Sequence, residues 1–204
     1  MEYFIILFLS YLSGSIPFGL ILTKLFSKKD IRKIGSGNIG ATNVLRTGNK
    51  YLAAATLVFD VFKGYVPVIL VMQHFPDLIE LSCIAAFLGH LFPFWLKFKG
   101  GKGVATYLGI ITALSIQLCF LFIFTWIIVS LIFKYSSVSS MFASLTVFVV
   151  NFLRETAISS DVSFTSTIKI PDSGILFFFS ILIIFTHKKN IIKLKNKKES
   201  KIKI

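Results

Sequence analysis

Long apolar runs separated by short basic loops constrain this chain more than any other feature of its sequence. Inside a bilayer no water satisfies backbone N–H and C=O groups, so a spanning segment closes its hydrogen bonds internally, as a helix does. About 20 apolar residues cross the hydrocarbon in that form. The first such run is Tyr3 to Leu22, and a basic loop through Lys50 follows it. The second is Tyr51 to Met72, interrupted by Asp60, Lys63, Gly64 and Pro67, and the third is Leu78 to Leu96. Composition agrees: 55% of the 204 residues are hydrophobic, 23 are Phe, and only 15% are charged, against roughly a quarter charged in soluble domains. The N-terminus has no basic region ahead of its apolar run and does not read as a cleavable signal.

The stretch from Val104 to Phe133 needs a separate argument. It is too long for one upright helix and short for two. Charge decides. After Thr186 the chain carries Lys188, Lys189, Lys193, Lys195, Lys197, Lys198, Lys201 and Lys203. The positive-inside rule puts this tail and the basic loop at 23–50 in the cytoplasm. Both lie inside only if Val104 to Phe133 crosses twice, turning near Ser115 to Leu118. Two further spans, Val138 to Leu153 and Gly174 to Thr186, complete the count. The expectation is an all-α, polytopic membrane helix bundle of seven spans, N-terminus outside and C-terminus cytoplasmic. Residues 1–187 then form one integral membrane domain, and 188–204 a basic tail suited to anionic lipid. The acids Glu2, Asp77, Glu80, Glu155, Asp161 and Asp172 all fall on the outer side, against Arg154 and Lys169. A six-span arrangement expels the lysine tail. The polar connection from Arg154 to Asp172 reads as a mobile outer loop.

Four stretches carry candidate chemistry, and the topology puts them on one face: "GSGNIGATNVLR" at 35–46, "GHLFPFWLKFKGGKGVAT" at 89–106, "KYSSVSS" at 134–140 and "HKKNIIKL" at 187–194. The first matches G-x-G-x-x-G, yet a membrane span precedes it, and Asp60 lies in the next span, so a dinucleotide fold is excluded. A Walker loop is excluded too, because Gly103 follows Lys102 where Ser or Thr belongs. What remains is an anion cradle. Small residues let N–H groups approach a phosphate, and Ser36, Asn38, Thr42, Asn43 and Arg46 add donors. In the second loop Lys99 and Lys102 stand among Gly100, Gly101 and Gly103, just before a helix that begins near Val104, whose N-terminus favours anions. His187 and Asn190 lie three apart and share one side of a helical turn. Asp60 and Lys63 either pair with each other or orient Arg46 or Lys102. His90 reads as a structural donor. Cys83 and Cys119 lack partner spacing, so no disulfide or metal is expected, and the net charge of +13 is no nucleic-acid signal by itself.

These motifs, in this order, resemble the bacterial acyl-phosphate:glycerol-3-phosphate acyltransferases, the PlsY family of integral membrane enzymes. "FDVFKG" at 59–64 and "YSSVSS" at 135–140 add to the likeness, which runs over nearly the whole chain. The resemblance implies a seven-span fold in the bacterial cytoplasmic membrane with a cytoplasmic active site. It implies acyl transfer from acyl phosphate to the 1-hydroxyl of glycerol 3-phosphate, giving lysophosphatidate and phosphate. No cofactor and no metal are implied, and the partners are the two substrates, membrane lipid and the enzyme that makes acyl phosphate. The family's phosphate-binding positions fall on Ser36, Arg46, Lys102, Ser137, His187 and Asn190. Thr42, Asn43, Gly100, Gly101 and Gly103 belong to the same segments. The third segment departs from the usual "HRENIxRLxxGxE": Lys188 and Lys189 replace Arg and Glu, Lys193 replaces Arg, Lys197 stands where Gly is usual, and Glu199 keeps the acidic position.

Acyl phosphate is an activated anhydride, so no acyl-enzyme is required, and no Ser or Cys has an evident His–carboxylate partner. Holding two phosphate-bearing substrates against their repulsion is the task. Ser36, Lys102, His187 and Asn190 form the expected catalytic set, with either a substrate phosphate or His187 accepting the hydroxyl proton. Phe92, Phe94 and Trp95 line an acyl slot or simply face lipid. The alternative function is a transporter for a small phosphorylated metabolite, which usually places its site at mid-membrane between repeats. An alkaline phosphatase fusion after Asp161 tests the topology. High activity is expected with seven spans, and a silent fusion contradicts them.

Overall fold

The structure, a computed structural model, describes residues 1–160 and 171–202. Every regular element among them is helical. The chain divides into two compact units, residues 1–114 and 115–204.

The first unit contains α1 (Glu2–Ser15), α2 (Phe18–Ser27), α3 (Ala41–Leu45), α4 (Lys50–His74), α5 (Ile79–Leu91) and α6 (Val104–Leu114). The expected first span proves to be α1 and α2 together, and it breaks at Pro17, which has no N–H to continue the ladder. α1 and α5 approach along small residues. Gly14 faces the Ala86 carbonyl, Gly89 faces the Tyr11 carbonyl, and the Ser10 and Ser82 hydroxyls hydrogen-bond at 2.8 Å. Within a membrane such small-residue seams let backbones pack closely, where a hydrophobic drive between helices is lacking.

The second expected span is α4, which runs unbroken through Pro67. Proline at 67 removes the N–H that would bond the carbonyl of Lys63, four residues back. The Ser13 hydroxyl of α1 donates to that carbonyl instead, at 2.9 Å. The side chain of Lys63 reciprocates. Its Nζ donates to the carbonyl of Ile16, at the break beside Pro17, at 2.8 Å, and pairs with Asp60 at 2.6 Å. Both side chains are almost fully buried. Asp60 and Lys63 therefore pair with each other, and α1, α2 and α4 are tied at one point.

The second unit contains α7 (Ile116–Phe133), α8 (Ser136–Ser160), α9 (Ser173–Thr186) and α10 (Lys188–Lys195). The 104–133 stretch is indeed two helices. Ser115 is extended, and its hydroxyl accepts from the Leu118 N–H to cap α7. α8 is longer than expected. Its last turns occupy part of the Arg154–Asp172 connection, because Arg154, Glu155 and Ala157 are good helix formers despite their polarity. The rest of that connection, 161–170, lies outside the described residues, as does Lys203. Asp172 caps α9 through the N–H groups of Gly174 and Ile175.

α10 ends in a Schellman motif. Lys198 N–H donates to Lys193 C=O at 2.7 Å and Lys197 N–H to Leu194 C=O at 3.0 Å. Lys197 sits at the left-handed position, φ 55°, which explains why glycine is the usual residue there. Among the described residues five helices are long and apolar enough to cross a membrane, or six with α9 and α10 taken as one bent span, and α6 is a shorter apolar helix.

The Lys63 tie generates a prediction. Lys63→Met leaves Asp60 buried and unpaired and removes the Nζ contact to the Ile16 carbonyl. Breaking a buried pair costs about 3–5 kcal/mol, whereas replacing both partners by apolar residues is often neutral. Thermal denaturation in detergent should show a large loss for Lys63→Met and substantial recovery in Asp60→Leu/Lys63→Met. Equal stability of the single variant and the parent contradicts the tie.

Candidate active site

The first glycine segment is built around one side chain. Asn43, in α3, is 2% exposed. Its amide nitrogen lies within hydrogen-bond distance of three carbonyls, Ile31 at 3.1 Å, Ile34 at 2.9 Å and Asn38 at 2.8 Å, and its oxygen accepts the Ser36 N–H at 2.9 Å. This side chain was expected to bind phosphate. Its hydrogen-bonding groups instead organise the loop, so Asn43 positions its neighbours. Gly35 and Gly37 take φ 57° and 72°, which lets the chain coil round the asparagine. Arg46 folds against Gly35, where a Cβ would meet its Cδ and Nη1. Ser36, Thr42 and Arg46 are exposed around this coil. Upstream, Arg32 grips Asp30 through two side-chain hydrogen bonds, at 3.0 and 2.7 Å. That contact holds the Asp30 carboxyl well below the usual carboxylate range.

The second glycine segment is shaped by α5. Gly100 and Gly101 were expected to offer N–H groups to phosphate. They donate instead to the carbonyls of Leu91 and His90, at 3.0 and 3.1 Å, and so close the C-terminus of α5. Side chains at these glycines would strike the His90 carbonyl and the His90 imidazole. Buried His90 thus forms the floor of the loop, by packing rather than by the side-chain donation expected of it, for its Nδ1 is buried without a hydrogen-bond partner among the described residues. Gly103, at φ 85°, passes over the ring of Phe87. Lys102 follows this anchored turn and immediately precedes α6. The first bond back into that helix is Tyr107 N–H to Gly103 C=O, 2.7 Å. Helix geometry therefore leaves the first-turn N–H groups of Val104, Ala105 and Thr106 without a partner inside the helix, directly after Lys102 in the chain.

One apolar base carries both segments. Ile31, Ile39 and Val44 from the first pack with Leu20, Leu52 and Ala53, and Leu96, which leads into the second, packs against the same cluster. Two cation-bearing turns at one end of the first unit are thereby fixed on a common support. Phe92, Phe94 and Trp95 are exposed, and the indole N–H of Trp95 donates to the Ser15 carbonyl at 2.9 Å.

In the second unit His187 lies at the bend between α9 and α10 and is 2% exposed. Its Nδ1 is 2.7 Å from the Ile183 carbonyl. A carbonyl only accepts, so Nδ1 carries a proton and donates there. The amide nitrogen of Asn190 donates to Glu199 Oε1, and the Ser137 hydroxyl reaches the same oxygen at 3.4 Å. Glu199 was not among the expected site residues. Its retention at an acidic position in a segment otherwise turned basic was the available signal, but its partner Ser137 is 62 residues away. Among the described residues no group of His, Cys, Asp and Glu has the makings of a metal site.

The model of the family described as "Glycerol-3-phosphate acyltransferase" matches residues 4–197. The chain belongs to that family. A glycerol-3-phosphate acyltransferase of Pelagibacter ubique is 51% identical over 100% of both chains. One from Brucella anthropi is 48% identical over 94% of this chain and 89% of its own. Crystal structures of PlsY, an integral membrane glycerol 3-phosphate acyltransferase, share the fold. The glycerol 3-phosphate form has a TM-score of 0.88 at 30% identity, covering 100% of this chain and 96% of that one. The lysophosphatidic acid form has a TM-score of 0.85 at 29% identity, covering 98% and 95%. This member of the family is an all-helical, multi-pass membrane protein.

The Asn43 arrangement predicts a local instability. Asn43→Ala removes every one of these hydrogen bonds, and net losses of about 1 kcal/mol per bond add to at least a tenfold rise in loop opening. Tryptic cleavage at Arg32, Lys33 and Arg46 in detergent should accelerate by about that factor, while Thr42→Ala leaves it unchanged. Identical cleavage rates for Asn43→Ala and the parent contradict the role given to Asn43.

Proposed function

We propose that this protein transfers a fatty acyl group from acyl phosphate to the 1-hydroxyl of glycerol 3-phosphate, releasing lysophosphatidate and inorganic phosphate. The observation that carries the reading is membership of the acyltransferase family over residues 4–197, and we assign the site to Ser36, Arg46, Lys102, Ser137, His187 and Asn190. The membrane arrangement that accompanies it has seven spans, N-terminus outside and C-terminus inside, with the reaction at the cytoplasmic face. α6 and α9 then serve as the two short spans.

The chemistry follows from the donor. The substrate hydroxyl oxygen attacks the acyl carbonyl carbon. The resulting tetrahedral oxyanion collapses with cleavage of the bond from carbon to the phosphate oxygen, and phosphate leaves with that electron pair. A phosphoryl leaving group needs neutralisation rather than a covalent relay. Lys102 and the first turn of α6 meet that need, because preorganised donors at a developing charge contribute about 2.7–4 kcal/mol apiece. Arg46, Ser36 and Thr42 anchor phosphate at the other turn, where each charged hydrogen bond contributes about 1.5–3 kcal/mol. The hydroxyl proton passes to a phosphate oxygen or to His187. Glu199 accepts from Asn190 and Ser137 and positions both side chains. Holding both substrates so that hydroxyl and carbonyl are aligned accounts for several kcal/mol more.

Purified protein given radiolabelled glycerol 3-phosphate and palmitoyl phosphate should form lysophosphatidate, and palmitoyl-CoA should not replace the donor. Lys102→Ala should lower kcat/KM by about 100-fold or more. A variant within about threefold of the parent contradicts the cradle. His187→Ala that keeps substantial turnover at saturating glycerol 3-phosphate assigns the proton to substrate phosphate.

A further inference from the structure

We infer that α10 and the segment after it bind the anionic headgroups of the leaflet they face, and that this contact holds the Glu199 strap on Asn190 and Ser137. The inference rests on the proposed placement of the C-terminus at the inner leaflet.

Four observations converge. First, α10 leaves α9 with a bend of 54° at His187. If α9 crosses the bilayer, a helix turned that far runs toward the membrane plane. Second, α10 presents apolar side chains between cations. Ile191 and Ile192 are 41% and 52% exposed, and Lys189, Lys193 and Lys195 around them are exposed as well. Isoleucines among lysines suit the boundary between headgroup and acyl chain, where lysine stems lie on apolar surface and their ammonium groups reach phosphate.

Third, the charges of this segment are turned outward: Lys189, Lys193, Lys195, Lys197 and Lys198 are exposed, and the ion pairs Arg32–Asp30 and Lys63–Asp60 lie elsewhere. The acid within it, Glu199, accepts from Asn190 and Ser137. Fourth, lysine occupies backbone that favours glycine. Lys197 has φ 55° and Lys134 φ 61°. The two belong to one patch, because the Ile202 N–H donates to the Lys134 carbonyl at 2.7 Å. A cation kept at a position where glycine is less strained points to a use for its charge. Anionic lipid supplies that use, and each lysine near such a surface raises association about fivefold. Glu199 lies within this segment, between Lys198 and Lys201, so seating the lysines also seats the carboxylate that holds Asn190 and Ser137.

The test uses the full chain in phosphatidylcholine vesicles with and without about a third phosphatidylglycerol. Two readouts are taken: turnover, and the immobilised fraction of spin-labelled phosphatidylglycerol against spin-labelled phosphatidylcholine. The parent should select phosphatidylglycerol and turn over at least about threefold faster in its presence, an advantage lost in high salt. Lys193→Gln/Lys195→Gln/Lys198→Gln should lose the selectivity and fall to the phosphatidylcholine rate in both membranes. Lys197→Gly should denature at a higher temperature yet respond less to phosphatidylglycerol, which separates lost charge from lost folding. Equal immobilisation of the two labels by the parent overturns the inference, as does a triple variant that responds like the parent. Lipid selectivity without turnover in either membrane counts against the acyltransferase reading and supports the lipid contact.

Discussion

Backbone carbonyls without helical partners, in a medium that offers no water, set the terms for the first unit. Pro67 leaves the Lys63 carbonyl without its donor, and the break at Pro17 opens the carbonyl of Ile16. Each accepts from the other helix, from Ser13 Oγ and from Lys63 Nζ, and the Ile16 carbonyl also accepts the Phe18 N–H. Asp60 balances the charge that the second contact brings in. An unsatisfied group in hydrocarbon costs several kcal/mol, so these side chains are fixed by the prolines. The same tie orients α2, whose Leu20 joins the apolar base beneath both glycine turns. The cations of the candidate site are thus held by a structure whose polar demands are met elsewhere.

Glycine serves two purposes in these turns. At Gly35 and Gly37 it permits left-handed backbone around Asn43. At Gly100 and Gly101 it permits contact with His90, while the N–H groups close α5. Neither use requires a glycine N–H to touch phosphate. The candidate anion donors are displaced by one or two residues, onto Lys102 and the start of α6 in one turn and onto Ser36, Thr42 and Arg46 in the other. The glycines make the shape, and their neighbours carry the charge.

Much of this was legible from local pattern. Hydropathy and charge located the helices, and the argument that 104–133 contains two of them follows from lysine placement alone; Ser115 then supplies the cap. The spacing of Asp60 and Lys63 made an ion pair one of two open readings. Long-range contacts were not legible. Nothing near Ser13 indicates that its hydroxyl serves Lys63, and nothing near Ser137 points to Glu199. The destinations of the Gly100 and Gly101 N–H groups depend on where α5 ends, which hydropathy does not resolve. The extension of α8 shows the opposite limit. A polar run was read as loop, although its residues favour helix.

The central claim is that the cation-bearing glycine turns of the first unit capture a phosphoryl group. Calorimetric titration of the detergent-solubilised protein with glycerol 3-phosphate, beside the same titration with glycerol, tests it most directly. The account predicts saturable binding of the phosphate ester, no competition by glycerol, and affinity reduced about tenfold or more by Arg46→Ala. Unchanged affinity in that variant, or glycerol binding as tightly as its phosphate, would contradict it.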